Sequence, residues 1–170
     1  MESSVLTFTI EDAQAAVRIC KYPPTGTRSM TGQLPQFNLA STPVPTIISE
    51  SNAQGSMVFV MIETKSSIKD IDSIASTPGV DVLLIGSNDL SIELGVPGDF
   101  GSEVFRDALR KVSDSAKRHN LTMGLAGVYD NPELQGWAVG ELGVKWILGQ
   151  QDSGVLAGGM KGVLAGLNSL

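Results

Sequence analysis

The chain has 170 residues, 42% hydrophobic and 18% charged, enough apolar material for one well-buried domain. A formal net charge of −6 and the lack of a basic run argue against a nucleic-acid surface, so no nucleic-acid partner is expected. The single cysteine, Cys20, excludes an internal disulfide framework. With no signal-peptide pattern and no stretch long enough to span a bilayer, a soluble, cytoplasmic protein with no membrane partner is expected.

Val5 to Phe8 is a short apolar run, the first of about five strand-like segments. From Ile10 the pattern turns helical: Glu11 and Asp12 suit a helix start, and Ala13, Ala16, Val17 and Cys20 repeat at helical spacing. Pro23-Pro24 stops that helix. Thr25 to Pro45, rich in Gly, Ser, Thr and Pro, reads as a long loop, of a length that in a compact domain usually serves function or interaction. A helix is expected from Thr46 to Asn52.

Val58 to Ile62 is apolar throughout, reads as a strand buried on both faces, and runs into Glu63. Ile68, Ile71 and Ile74 mark a helix ending near Pro78-Gly79. Val82 to Gly86 is a second buried strand, running into Ser87-Asn88-Asp89, with the next helix signal at Ser91. Phe105, Leu109 and Val112 line a third helix. Leu121 to Val128 is a Gly-containing strand, Asn131-Pro132 opens a helix through Leu142, and Val144 to Leu148 is a further strand. A small-residue helix runs toward Leu170.

This alternation calls for an α/β fold with a parallel sheet under helical cover. Five strands are too few for a closed eight-stranded barrel, so the chain is either an open doubly wound sheet or part of a barrel; spacing does not choose between them.

In such folds the carboxyl ends of the strands face the ligand site. Glu63 and Asp89 each follow a strand there, and two adjacent carboxylates repel unless a cation lies between them. They are therefore the candidate ligands of one hard divalent metal. The bland alternative is that each acid caps a helix or sits solvated in a loop. Cys20 is expected to be a small packed residue, and His119, the only histidine, a surface or capping residue at a helix end.

Three motifs then point to a family. Lys21-Tyr22-Pro23-Pro24-Thr25-Gly26-Thr27-Arg28 resembles the RYPPxGxRG loop of the HpcH/HpaI aldolase/citrate lyase family. Met61-Ile62-Glu63-Thr64 resembles its QIET segment, and Ile85-Gly86-Ser87-Asn88-Asp89-Leu90-Ser91 its IGPADLS segment, followed by Leu94-Gly95. The motifs occur in the family's order. The resemblance implies a (β/α)8 TIM-barrel type and a class II 2-keto-acid aldolase. It further implies Mg2+ or Mn2+ on Glu63 and Asp89, and pyruvate or oxaloacetate as the kind of small 2-keto acid bound. The turn of Gly86, Ser87 and Asn88 would meet the substrate carboxylate, and homo-oligomers are expected.

The chain also departs from the family pattern. Met61 stands where a glutamine is usual, Ser87 for a proline and Asn88 for an alanine. The family's base histidine and enolate-steadying arginine lie upstream of the proline loop and have no counterpart here, so no catalytic residue is assigned. The expectation is an N-terminally truncated member, residues 1–170 forming a single domain equivalent to the later part of the barrel. Its expected function is metal-dependent carbon–carbon cleavage or condensation of 2-keto acids through a pyruvate enolate. The alternative is a non-catalytic truncated paralogue acting by metal binding or association. An open-sheet nucleotide binder is disfavoured, because no glycine-rich phosphate loop follows any strand.

Overall fold

The computed structural model describes residues 9–169 and the backbone of residues 3–6. The apolar run Val5 to Phe8 overlaps strand β1 (Ser3–Leu6), and its last two residues lie outside the described set. There follow α1 (Ile10–Cys20), α2 (Val44–Glu50), β2 (Val58–Ile62), α3 (Lys65–Lys69) and α4 (Ile71–Ala75). The remainder comprises β3 (Val82–Gly86), α5 (Ser87–Glu93), α6 (Glu103–Arg118), β4 (Thr122–Ala126), α7 (Pro132–Trp137), β5 (Trp146–Ile147) and α8 (Asp152–Leu167). Among the described residues no helix is long and apolar enough to cross a membrane.

The five strands pair in chain order, β1-β2-β3-β4-β5, and every pair is parallel. A doubly wound sheet reverses its order at a switch point and carries helices on both faces; among the described residues this one does neither. Val58, Val60, Ile62, Leu83, Ile85, Met123 and Leu125 point to one face, where they pack with residues of α1, α4, α6 and α7 in the main core. The alternate residues Phe59, Val82, Leu84 and Ala126 form a second cluster, joined by Met61, Trp146 and Leu148 and by no helix residue.

That second face is concave. Three strand spacings, about 14 Å in a flat sheet, separate β2 from β5, yet the rings of Phe59 and Trp146 meet edge to face with centroids 5.5 Å apart. Gly124 makes the closure possible, since a Cβ there would stand 2.9 Å from Leu84 Cδ1 and 3.4 Å from Trp146 Cε3. The architecture is an arc of a (β/α) barrel, which decides between the two architectures the sequence left open.

The Lys-Tyr-Pro-Pro loop belongs to this scaffold, at the end of the sheet where the strands begin. The Lys21 amine is buried and donates to Asn52 O, Ser56 O and Asp81 Oδ2. Asp81 Oδ2 also accepts the Val58 amide at 2.7 Å. Tyr22 is buried, exchanges two hydrogen bonds with the Asn52 side chain, and carries the Arg28 guanidinium 4.8 Å above its ring. Gly26 must be glycine because a Cβ there would fall inside contact distance of the Lys21 and Arg18 carbonyl oxygens. Cys20 is buried on α1, as its helical spacing predicts.

Candidate metal and substrate site

Glu63 stands one residue past β2, at the carboxyl end of the sheet. Its side chain follows the alternation of Phe59 and Met61 toward the concave face, and the residue is 8% exposed. The turn holding it is tied down locally. Thr64 is the N-cap of α3, its hydroxyl accepting the Ser67 amide and its own amide donating to Ser67 Oγ, both at 3.1 Å. Thr64 thus does the capping that the bland reading gave to Glu63. The Glu63 carboxylate makes no hydrogen bond or ion pair among the described residues.

Across the adjacent strand, Gly86 opens the space into which that carboxylate lies. A Cβ at position 86 would be 2.6 Å from Glu63 Oε2, 3.1 Å from Glu63 Cβ and 3.4 Å from Met61 Cγ. The chain then turns directly into α5, four residues earlier than the helix signal at Ser91 suggested, so Asp89 occupies the first helical turn instead of a loop. Ser91 is the reason the turn forms where it does: its hydroxyl donates to Asn88 O at 2.7 Å and accepts the Gly98 amide at 3.0 Å. Asn88 and Asp89 are exposed, whereas Ser87 is fully buried and its hydroxyl has no hydrogen-bond partner.

The structure therefore brings the two predicted acids together. Burial, and then the charge of Asp89, push the Glu63 carboxyl above its ordinary range. No lysine, arginine or histidine offsets the pair: neither acid has an ion pair among the described residues. Nor is there, among those residues, a group of three or more His, Cys, Asp or Glu side chains placed to hold a metal. Two carboxylates with one deep and one exposed, and a glycine cradle under the deep one, suit a hard cation that keeps most of its positions for water and substrate oxygens.

His119 is at the other end of the sheet, three residues before β4, capping α6 and placed 3.1 Å from Asp72 Oδ1. Its capping role is as expected, and it is remote from the acid pair. Arg28 sits on Tyr22, likewise away from the acids. One contributor escaped the sequence reading: Gly127, just past β4 with φ +85°, where a Cβ would stand 3.0 Å from Asn88 Nδ2. It lets the Asn88 side chain lie against the next strand end. The signal available was only a glycine after a strand, which several unrelated turns share.

Comparison with known proteins adds a family. Residues 6–140 match the family model HpcH/HpaI aldolase/citrate lyase. The 4-hydroxy-4-methyl-2-oxoglutarate aldolase cghB of Chaetomium globosum is 50% identical over 149 residues, covering 88% of this chain and 55% of that protein. The 5-keto-4-deoxy-D-glucarate aldolase of Klebsiella pneumoniae is 32% identical over 117 residues, covering 69% of this chain and 44% of that protein. The crystal structure of an HpcH/HpaI aldolase from Desulfitobacterium hafniense superposes with a TM-score of 0.87 at 26% identity, over 99% of this chain and 64% of that one. The chain spans about half the length of the curated relatives it matches.

Proposed function

The chain belongs to the HpcH/HpaI aldolase/citrate lyase family, and from that premise we propose that Glu63 and Asp89 hold one Mg2+ or Mn2+ ion in the active site of a carbon–carbon lyase acting on 2-keto acids. One observation carries the reading. The Glu63 carboxylate is sunk against Gly86, faces the charge of Asp89, and has no cation or donor among the described residues. A divalent ion there supplies a Lewis acid to the carboxylate and keto oxygens of the substrate.

The remaining parts follow from this chain's own groups. The turn of Gly86, Ser87 and Asn88 opens α5, and the free backbone amides of that first turn, with the exposed Asn88 side chain, receive the substrate carboxylate. In cleavage of a 4-hydroxy-2-keto acid the hydroxyl gives up its proton and the C3–C4 bond breaks. The bonding pair stays on C3 as the enolate of pyruvate, and C3 then takes up a proton. The apolar residues Met61, Leu84 and Trp146 line the concave face below the acids and limit water there. Fungal and enterobacterial relatives named as aldolases of 2-keto acids support this substrate class.

A second reading, metal binding without efficient turnover, is favoured by the placement of His119. The chain's one histidine lies at the opposite end of the sheet, so the described residues bring no imidazole base to the acids.

The test is Mn2+ binding followed by electron paramagnetic resonance, together with exchange of pyruvate methyl protons into deuterated water. Saturable Mn2+ binding and Mn2+-dependent exchange, both lost in Glu63→Ala, establish the enzyme. Binding without exchange establishes the second reading. A folded chain that binds no Mn2+ contradicts both.

A further inference from the structure

The opposite end of the molecule carries a second cavity that the proposed reaction does not use. It measures about 200 Å³ and is lined by Gln36, Phe37, Glu50, Ser51, Gln54 and Gly55. The long loop contributes one wall through the short 3-10 turn Pro35–Phe37, and the other wall is the end of α2 and the π-helical turn Ser51–Gly55 that follows it. Single π turns of this kind insert a residue into a helix and re-aim its side chains, often at functional sites. Ser56 follows the turn and β2 starts two residues later, so the cavity lies about 20 Å from Glu63 along the strand direction.

Four polar side chains of the lining have no protein partner among the described residues, one of them buried and three open to solvent. Ser51 is 1% exposed and its hydroxyl has no partner. Buried hydroxyls are normally satisfied, and one left open beside a cavity points to a ligand or solvent in it. The side chains of Gln36, Glu50 and Gln54 make no hydrogen bond or ion pair among the described residues. Gln36 Nε2 and Ser51 Oγ converge on one point beside Gly55, lying 3.8 and 3.7 Å from where its Cβ would stand.

The lining selects a class of ligand. Among the described residues it holds one carboxylate, two carboxamides, a hydroxyl and an aromatic face, and no basic side chain. An anion could take donors from the carboxamides and the hydroxyl but would meet the charge of Glu50 with no cation to offset it. A small organic ammonium ion would find a counter-charge in Glu50, acceptors in Ser51 Oγ and the glutamine carbonyls, and a ring in Phe37 for its alkyl part or its charge. We infer that this cavity is a binding site for a small organic ammonium ion, separate from the metal and substrate site.

Calorimetric titration of the full chain with n-butylammonium, against n-butanol of the same shape and at matched ionic strength, tests the inference. The expected result is one saturable site for the ammonium and none for the alcohol. Glu50→Gln, an exposed position that leaves the fold intact, weakens binding at least about tenfold. Gly55→Ala, whose methyl meets Ser51 Oγ and Gln36 Nε2 at ordinary contact distance, weakens it several-fold without a loss of stability. Glu63→Gln combined with Asp89→Asn leaves it unchanged. No saturable binding, equal binding of butanol, full binding by Glu50→Gln, or loss in the Glu63 and Asp89 variant instead would each overturn the assignment.

Discussion

A side chain at position 86 and the Glu63 carboxylate compete for one space, because the Cβ that alanine would add stands 2.6 Å from Glu63 Oε2. Gly86→Ala therefore displaces the deep acid while leaving both acids in the sequence. Displacements of this kind around a metal cost about 10–100-fold in affinity, so Mn2+ binding followed by paramagnetic resonance should weaken by that factor, with the circular dichroism spectrum retained. Unchanged affinity in a folded variant would mean that Glu63 is not a ligand. The same carboxyl sets a pH dependence. Burial and the Asp89 charge raise it above the ordinary value of 4.5. The folded chain then holds this proton more tightly than the unfolded chain does, so this group's contribution to metal-free stability is fully present below that value and is lost as the pH rises through the folded pKa. Glu63→Gln removes the decline. Its Tm at pH 7 in metal-free buffer should exceed that of the parent. Added Mn2+ should raise the Tm of the parent and leave that of Glu63→Gln unmoved; a lower Tm for the variant in metal-free buffer would contradict the repulsion.

At the scale of elements, the Lys21 amine joins four segments: the end of α1, the π turn after α2, the start of β2 and the start of β3. Removing it takes the donor from two carbonyl oxygens and from the half-exposed Asp81 carboxylate, which keeps the Val58 amide. Loss of the donor to such buried acceptors costs about 1–3 kcal/mol, which Lys21→Met should show in urea unfolding while Mn2+ affinity is unchanged. A loss under about 1 kcal/mol would show that water replaces the amine. Lys21 was legible only as part of a motif, because a lysine's sequence neighbours do not reveal acceptors 31 to 60 positions away. The strands were more legible. Val58 to Ile62 and Val82 to Gly86 read as they fold, since an apolar run between polar breaks has few other fates. The run Val144 to Leu148 contains a strand of only Trp146–Ile147, which pairs with Gly124 and Leu125 of β4. The helix through Ile68, Ile71 and Ile74 breaks at Asp70, and the one from Asn131 through Leu142 loosens into a π turn at Ala138–Leu142. Periodicity records which residues face the core, and both breaks keep that facing.

For the whole molecule, strand order was beyond the alternation of elements and legible only through the three family motifs, which implied the barrel. Alternating strands and helices fit a barrel and an open sheet equally, because the pattern along one element carries no information on which neighbour it pairs with. What the chain does show in its letters, and what the fold leaves unresolved, is α8. Gly154, Gly158, Gly162 and Gly166 recur every fourth residue, and none of the residues of α8 is buried. Val155, Leu156, Met160, Val163, Leu164 and Leu167 are each more than half exposed, and all but Leu167 line an apolar groove of about 500 Å³ with Gly159. A helix this rich in glycine, each costing about 1 kcal/mol against alanine, does not hold its form alone in water. Its apolar face must be covered, and glycines at this spacing allow another backbone to approach closely. A homo-oligomer, which the family resemblance implies, would supply that cover with α8 as its contact element. Sedimentation equilibrium should then give a mass that is a multiple of 17.9 kDa. Met160→Lys with Leu164→Lys places two like charges in the groove and should drive the chain to the monomer mass. Far-ultraviolet dichroism should fall by about the helix content of α8, while the barrel arc still unfolds cooperatively. If the parent sediments as a monomer and the variant keeps its full helicity, α8 is stable uncovered, and association has to be sought at the open strand edges and the long loop instead.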